Sequence, residues 1–424
     1  MPAESKRPCI GLALAGGGPV GGIYEVGALA ALAEACEGAD FNDFDIYVGV
    51  SSGGFVAAAL ANGLSPARLA GMLVGKGADE VFDPDVLLHP AVGEYWHRLR
   101  TLPPLFWSSL RHYLSDPFGH SLLEAFQQLG HALPTGIFDN SAIDALLRQL
   151  FSRRGRSNDF RTLRRRLFLV ATDLDSGEAV AFGSPGHDDV PVSTAVQASA
   201  ALPGLFPPVR IAGRDYVDGA LIKTLHASVA LREGAELVLC INPLVPFDAD
   251  LAARRPRREH LAPTPEHLVD GGLPVVLSQT FRAIVHSRMR VGMDRYRHLY
   301  GGADVVLFEP TRDDADMFFT NVFSYRSRSR LCEHAYQRTR TDLYRRRHEL
   351  APILERHGLH LNVAVLKDHR RTLLHRQKGH QLGAATGALA SVLDDLERWL
   401  ASMGDSGHSG NDRECYPHRG DHSG

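Results

Sequence analysis

The chain has 424 residues, of which 44% are apolar and 22% are charged. Its 46 Lys and Arg residues against 49 Asp and Glu give a formal net charge of −3, which argues against a nucleic-acid partner because such proteins usually carry a basic surface. This composition also excludes wholesale disorder, and the length allows a large core that needs no disulfide or metal to hold it together.

In chain order, a continuous apolar run at 9–15 predicts a strand buried on both faces of a parallel sheet. A glycine loop at 16–21 follows, then an Ala- and Leu-rich helix at 23–36, a second buried strand at 45–50 and a small-residue helix at 55–64. Strand, helix and strand within about forty residues indicate a βαβ unit. Further short apolar runs predict strands at 167–172, 179–182, around Tyr216 and Val217, 237–241 and 305–308.

Composition divides the chain into a predicted core at 8–245, an α/β continuation with an Arg-rich helical extension at 246–400, and a disordered tail at 401–424. Within the core, about 81–140 is rich in aromatic residues, Leu and Pro and predicts a helical insertion. Its aromatic residues indicate ordinary packing more than an acyl pocket or lid. The arginines of the second half indicate solvated helix faces more than attachment to anionic lipid.

The five cysteines are widely spaced, odd in number and without a Cys-x-x-Cys pair, which predicts free thiols in a reducing compartment. The apolar run at 9–15 is too short for a signal peptide, and polar residues interrupt the uncharged stretch at 46–67. We therefore expect a cytoplasmic protein with peripheral membrane contact as an open alternative. No pattern in the sequence predicts a metal or another cofactor.

Residues Gly49, Ser51 and Gly53 form a Gly-x-Ser-x-Gly pentapeptide between a predicted buried strand and a predicted helix. That context is typical of a nucleophile elbow, in which the serine lies on a tight turn and flanking glycines let neighbouring backbone approach. The amide of Ser52 at the helix N-terminus would face a developing oxyanion. We interpret Ser51 as a catalytic nucleophile, the alternative being an ordinary tight turn.

The glycine loop contains Gly16, Gly17, Gly18 and Gly21, and it also fits the Gly-x-Gly-x-x-Gly pattern of a dinucleotide-binding turn. That interpretation needs an acidic residue near the end of the second strand, where the sequence has Gly49, Val50 and Ser51 instead. Since the two strands are expected to be adjacent, the loop amides are better placed to complete an oxyanion hole. Each such donor is typically worth about 3 kcal/mol in the transition state.

A serine nucleophile needs a base, and none of the 21 histidines stands in a defined motif. Asp218 ends a short predicted strand and is followed by the small residues Gly219 and Ala220, which would allow close approach. On its own this Asp-Gly pair would be read as a β-turn.

Taken together, these motifs resemble those of the patatin-like phospholipases, which carry a glycine-rich oxyanion loop, a Gly-x-Ser-x-Gly serine and an Asp-Gly-Ala aspartate. The resemblance is supported by Ala171, Thr172, Asp173 and Leu174 with Gly177, and by the block at 198–207, and it runs from about residue 8 to 226. One departure is Val20, which stands where the family usually carries Arg or Lys.

The resemblance implies a three-layer α/β/α sandwich with a mainly parallel central sheet, and a Ser-Asp dyad acting on phospholipid or another acyl ester. Ser51 would be the nucleophile and Asp218 its proton acceptor, while the amides of Gly17, Gly18 and Ser52 would hold the oxyanion. The alternatives are a non-catalytic lipid- or partner-binding member, a Ser-His-Asp α/β-hydrolase and a dinucleotide-binding protein.

Overall fold

A computed structural model of the chain describes residues 7–74, 135–254, 267–320 and 325–373. These residues belong to one compact unit that ends at Leu373. Several predictions fall outside the described residues: most of the helical insertion at 81–140, a C-terminal helix at 382–400, the tail at 401–424 and the thiol of Cys415.

The described residues form ten strands, of which eight make one mixed sheet in the order β6-β7-β4-β3-β1-β8-β9, with β5 paired to β4. The strands are β1 (Ile10–Leu14), β2 (Cys36–Glu37), β3 (Ile46–Gly49), β4 (Arg166–Asp173), β5 (Ala179–Phe182), β6 (Val209–Ile211), β7 (Arg214–Asp218), β8 (Leu237–Ile241), β9 (Asp304–Phe308) and β10 (His360–Leu361). Pairing is parallel from β4 through β3, β1 and β8 to β9, and antiparallel for β5, β6 and β7.

Every predicted strand is present, and three short ones were not predicted: β2, β6 and β10. Each has only two or three residues, too few for a hydrophobic period to show. The antiparallel pair of β2 and β10 lies apart from the main sheet.

Twelve α-helices accompany the strands within the described residues. They are α1 (Gly18–Ala35), α2 (Ser52–Ala61), α3 (Pro66–Val74), α4 (Ser141–Phe151), α5 (Val192–Ser199), α6 (Ala227–Arg232), α7 (Ala249–Ala253), α8 (Gly272–Leu299), α9 (Ala315–Phe319), α10 (Tyr325–Arg345), α11 (Arg347–Arg356) and α12 (Val363–Lys367). The long helix α8 was not predicted from the sequence.

The core is the sheet itself, because every residue of β1 and β8 is buried. Side chains alternate between the two faces of a strand, so Ala13, Val48 and Cys240 share one face and pack with α6 and with Tyr296 of α8. Helix α2 packs on β1, β3 and β4, and α1 packs on α2 and α10. The fold is therefore the predicted three-layer α/β/α sandwich with a mainly parallel central sheet.

One predicted boundary is wrong, because α1 begins at Gly18 rather than at Ile23. The predicted loop 16–21 is thus a loop only at its first two residues, and the rest forms the first turn of the helix. Pro19 stands in this turn, where its fixed φ suits the helix and its missing amide hydrogen is not needed. The proline that reads as a loop residue in the sequence therefore helps to start the helix.

The four cysteines in the described part are free thiols, as predicted, and Cys36, Cys240 and Cys332 are buried. Burial raises the pKa of Cys36 and of Cys332 to about 12. Both thiols are therefore protonated and unreactive at neutral pH.

Among the described residues, one helix is long and apolar enough to cross a membrane by length and composition, at Leu268–Tyr296. Only 11% of the residues in its most apolar window are buried, so this segment, which contains most of α8, is not a typical core helix. The two runs considered from sequence, at 9–15 and 46–67, instead form buried elements of the sandwich.

Candidate active site

Ser51 lies between β3 and α2, on the turn that the pentapeptide predicts. Its φ of 54° and ψ of −124° fall in a region that residues other than glycine rarely occupy, and such strain collects at functional sites. The side chain is 8% exposed. Parallel pairing of Leu14 with Gly49 brings the turn beside the end of β1.

The glycines of the pentapeptide are needed because backbone crosses where a side chain would stand. A Cβ on Gly49 would come within 2.5 Å of the carbonyl oxygen of Gly53, and a Cβ on Gly53 within 2.5 Å of that of Ala15. The turn can therefore hold Ser51 in place only while both positions lack a side chain.

The amide of Ser51 donates a hydrogen bond of 2.9 Å to the hydroxyl of Ser199, at the end of α5. That hydroxyl in turn donates to the carbonyl oxygen of Val170 on β4, at 2.6 Å. Ser199 is fully buried and so ties the strained turn to the neighbouring strand. Sequence reasoning placed Ser199 in the supporting block 198–207 but gave it no role in the site.

Asp218 ends β7, two strands away from the serine turn, and it is 3% exposed. Its carboxylate accepts a hydrogen bond of 2.8 Å from the amide of Ala220, and the hydroxyl of Ser51 lies near enough to lower its pKa. The Asp218 amide donates to the carbonyl of Ala201 at 3.0 Å, and Thr172 bonds its carbonyl at 3.1 Å. The backbone of Asp218 is thus held by the residues that follow α5 and by the neighbouring strand β4.

Gly219 allows this close approach, because a Cβ there would lie 2.3 Å from the carbonyl oxygen of Val170. Burial raises the pKa of Asp218 to about 6, although the amide of Ala220 and the hydroxyl of Ser51 act in the opposite direction. A carboxyl in this environment is a stronger base than an exposed aspartate and is still ionised at neutral pH.

Two helices begin beside the serine, α1 at Gly18 and α2 at Ser52. The first amides of a helix have no partner within it, and its dipole favours negative charge at this end. Gly17 and Gly18 line the same cavity as Ser51 and Ser52, and a Cβ on Gly16 would stand 3.1 Å from the Cβ of Ser51. The arrangement suits an oxygen atom that gains negative charge.

A cavity of about 300 Å³ opens over these groups, within the size range of small-ligand sites. The predicted residues Gly17, Gly18, Ser51, Ser52, Asp218 and Ala220 line it. Most of the remaining wall is apolar, including Phe55, Leu147, Val196, Leu205, Phe206 and Phe281. Two arginines, Arg282 and Arg328, also line it, and sequence reasoning assigned neither to the site.

Asp314, Asp316 and His334 offer ligand atoms within 4.8 Å of one another, as a metal site would. They already have other partners, because Asp314 accepts from His334 at 2.8 Å and from the amide of Met317 at the start of α9, at 3.3 Å. None of the three lines the cavity that holds Ser51. Ion pairing and helix capping account for this cluster.

The α/β/α sandwich and the strained serine turn are typical of α/β proteins of the nucleophile-elbow class. The buried Asp218 lies in the same cavity as this serine. Residues 12–231 match the patatin-like phospholipase family, just over half of the chain. The chain therefore belongs to the patatin-like phospholipases. Membership supports lipid ester hydrolysis in general terms.

Similar proteins include uncharacterized NTE family proteins of Mycobacterium bovis and Mycobacterium tuberculosis, each 30% identical over 132 residues, or 30% of this chain and 19% of the relative. The chain thus spans about a fifth of the length of the curated relatives it matches.

Among solved structures, VipD of Legionella pneumophila is 15% identical with a TM-score of 0.36, over 79% of this chain and 66% of that one. The effector ExoU of Pseudomonas aeruginosa is 15% identical with a TM-score of 0.33, over 80% and 53%.

Proposed function

We propose that the protein is a serine lipid acyl hydrolase of the phospholipase A or lysophospholipase type that acts through a Ser51–Asp218 dyad. The observation that carries the proposal is that the strained Ser51 and the buried carboxylate of Asp218 line the same largely apolar cavity. The apolar wall suits an acyl chain, and the dyad supplies a nucleophile with its own base.

In the proposed reaction, the Ser51 Oγ attacks the ester carbonyl carbon while its proton passes to the Asp218 carboxylate. The amides of Gly17, Gly18 and Ser52 stabilise the tetrahedral oxyanion. As the intermediate collapses, Asp218 returns the proton to the leaving alcohol, which departs and leaves an acyl-enzyme. A water molecule then attacks the acyl carbon and gives one proton to Asp218. As the bond between the acyl carbon and the Ser51 Oγ breaks, Asp218 passes that proton to Oγ, which releases the free acid and regenerates both residues.

Several observations favour this proposal over the alternatives. None of the residues that line the cavity in the described part of the chain is a histidine, which disfavours a Ser-His-Asp triad. The glycine turn after β1 lies against Ser51. A dinucleotide site would need an acidic residue at the end of the neighbouring strand, so this arrangement disfavours one. A strained serine beside a buried aspartate in one cavity disfavours a non-catalytic member, because such strain is seldom kept without use.

The experiment is labelling with a fluorophosphonate probe followed by mass spectrometric mapping of the adduct. We expect a single adduct on Ser51, and Ser51→Ala is expected to lose both the adduct and the hydrolysis of a soluble ester. The variant Ser193→Ala is the matched control, since Ser193 is also buried but bonds Asn158 instead of Ser51. If folded wild-type protein took no label, the result would instead indicate a non-catalytic lipid-binding member of the family.

We further propose that the protein docks on anionic lipid surfaces through one face of α8. Leu273, Leu277, Ile284 and Val291 are between 55% and 69% exposed, and their spacing of four and seven residues places them on one face. The same helix contributes Phe281 to the cavity wall. The arginines Arg288 and Arg295 are exposed beside this face. A cytoplasmic location and the absence of a nucleic-acid partner stay predictions.

Placing charge on this face by Leu277→Asp with Val291→Asp is expected to weaken sedimentation with vesicles by about tenfold or more, because two apolar side chains no longer enter the lipid. Wild-type binding is expected to be stronger to phosphatidylcholine vesicles that contain phosphatidylserine, and to weaken with salt. Thermal unfolding shows whether the variant is folded. Equal sedimentation of a folded variant and the wild type would contradict the docking face.

A further inference from the structure

Arg282 of α8 is a buried cation in the wall of the cavity that holds Ser51. The residue is 8% exposed. Its guanidinium lies over the ring of Phe318, 5.0 Å from the ring centroid, and donates a hydrogen bond of 3.3 Å to the carbonyl oxygen of Val245. Both contacts hold the group in place without neutralising its charge.

Among the described residues, no carboxylate lies within ion-pair distance of Arg282. Burial lowers its pKa to about 10, so the group is still charged at neutral pH. A buried charge is unfavourable unless it is paired, and an arginine buried in a protein is normally found with an anion. An anion bound in the cavity would supply the pairing that the described residues do not.

The loop after β8 connects this cation to the oxyanion region. Pro243 packs against the start of α1, where it lies 2.6 Å from a Cβ built on Gly17. Two residues further on, Val245 holds the guanidinium, and Leu244 between them lines the cavity. Arg282 is thus fixed relative to the proposed oxyanion donors by three consecutive residues.

Arg328 of α10 lines the same cavity and is also 8% exposed. Most of the remaining lining residues are apolar. The cavity therefore combines a wall suited to an acyl chain with the guanidinium of Arg282, which is suited to an anion, and a phospholipid carries an acyl chain and an anionic group in one molecule.

We propose that Arg282 binds the headgroup phosphate of a phospholipid or lysophospholipid whose acyl ester lies at Ser51. A guanidinium matches phosphate oxygens with two parallel N–H donors, and such charged hydrogen bonds are stronger than neutral ones. This proposal rests on the function proposed above and adds the class of headgroup. Arg282 is a specificity residue in it and takes no part in the bond-making steps.

The test compares a lysophospholipid with a monoacylglycerol that has the same acyl chain, so that the two esters differ in the phosphate-bearing headgroup. For Arg282→Gln, the ratio of kcat/KM for the lysophospholipid to that for the monoacylglycerol is expected to fall by about tenfold or more. The fall should appear mainly as a raised KM. Arg290→Gln removes the same charge from an exposed position of the same helix and is expected to keep the wild-type ratio.

Thermal unfolding separates this role from a structural one. Because Arg282 is a buried charge with no carboxylate partner in the part of the chain that the structure describes, Arg282→Gln is expected to leave the Tm of the ligand-free protein unchanged or to raise it. If that variant does not fold, Arg282→Lys replaces it, because lysine keeps the positive charge but lacks the planar guanidinium group. The ratio of kcat/KM for the lysophospholipid to that for the monoacylglycerol is then expected to lie below the wild-type value.

An unchanged ratio in folded Arg282→Gln would overturn the proposal. Competition by inorganic phosphate with monoacylglycerol hydrolysis, combined with an unchanged ratio, would indicate a site for free phosphate and would also overturn it. These results are distinct from failure of the proposed function, in which wild-type protein would hydrolyse neither ester and Ser51 would take no fluorophosphonate.

Discussion

Asp218→Asn is expected to lower kcat/KM for ester hydrolysis by about 10²–10⁴-fold, because the amide cannot accept the Ser51 proton. Steady-state hydrolysis of a soluble ester measures the effect. Asp173→Asn is the matched control: Asp173 is equally buried on the neighbouring strand β4, but its carboxylate pairs with Arg214 and does not contact Ser51. We expect the control to keep most of the activity.

The same residue sets the expected pH dependence. Because burial raises the pKa of Asp218 to about 6, kcat/KM is expected to fall below pH 6 as the carboxylate takes up a proton and ceases to act as a base. An active Asp218→Asn variant, together with a histidine variant that is inactive, would contradict the dyad.

The raised pKa also has a consequence for stability. Between about pH 4 and pH 6 the folded protein keeps the Asp218 proton and the unfolded chain releases it, so this group stabilises the fold less as pH rises through that range. Asp218→Asn removes the penalty. The variant is therefore expected to exceed the wild type in free energy of unfolding above pH 6, by about 3 kcal/mol, and to lose the advantage by pH 4. Denaturant titrations at both pH values measure the difference.

Gly53→Ala is expected to lower the free energy of unfolding by about 3 kcal/mol and to abolish ester hydrolysis. The added Cβ would come within 2.5 Å of the carbonyl oxygen of Ala15 and 2.7 Å of the carbonyl carbon of Leu14. Since both atoms are backbone of the central strand β1 or its end, neither can move aside. The serine turn would have to shift instead.

The next residue provides the matched control, because a Cβ on Gly54 would meet the Leu169 side chain at an ordinary 3.5 Å. Gly54→Ala is therefore expected to be tolerated, and it stabilises α2 by about 0.5–1 kcal/mol, the usual advantage of Ala over Gly in a helix. Chemical denaturation and ester hydrolysis of both variants test the pair. Equal stability of the two would show that the turn does not depend on close backbone packing at Gly53.

The sequence alone predicted the elements whose pattern is local. Continuous apolar runs identified the central strands, and glycines around Ser51 identified the turn between β3 and α2, because strand burial and tight turns leave a trace in neighbouring residues. It missed the start of α1, where Pro19 reads as a loop residue, and also α8. That helix has exposed apolar residues as well as buried ones, so it lacks the usual contrast between an apolar and a polar face.

The tertiary structure decided which distant residues share the site. Ser199 and Asp218 reach Ser51 from other elements of the sheet and its helices. Only the packed sandwich shows that the Ser199 hydroxyl accepts from the Ser51 amide and that Asp218 lines the same cavity as Ser51. The raised pKa of Asp218 likewise depends on burial, which is a property of the folded chain. The motif resemblance suggests Asp218, but the buried environment that raises its pKa comes from packing.

The sequence by itself determined the fold class and the strand-to-helix serine turn, because both depend on residues close together in the chain. Only the tertiary structure showed that the arginines Arg282 and Arg328 line the cavity, since α8 and α10 lie far along the chain from Ser51. In the sequence each is one of many arginines. Arg282 is buried and has no carboxylate within ion-pair distance among the described residues, and neither property exists before the chain has folded.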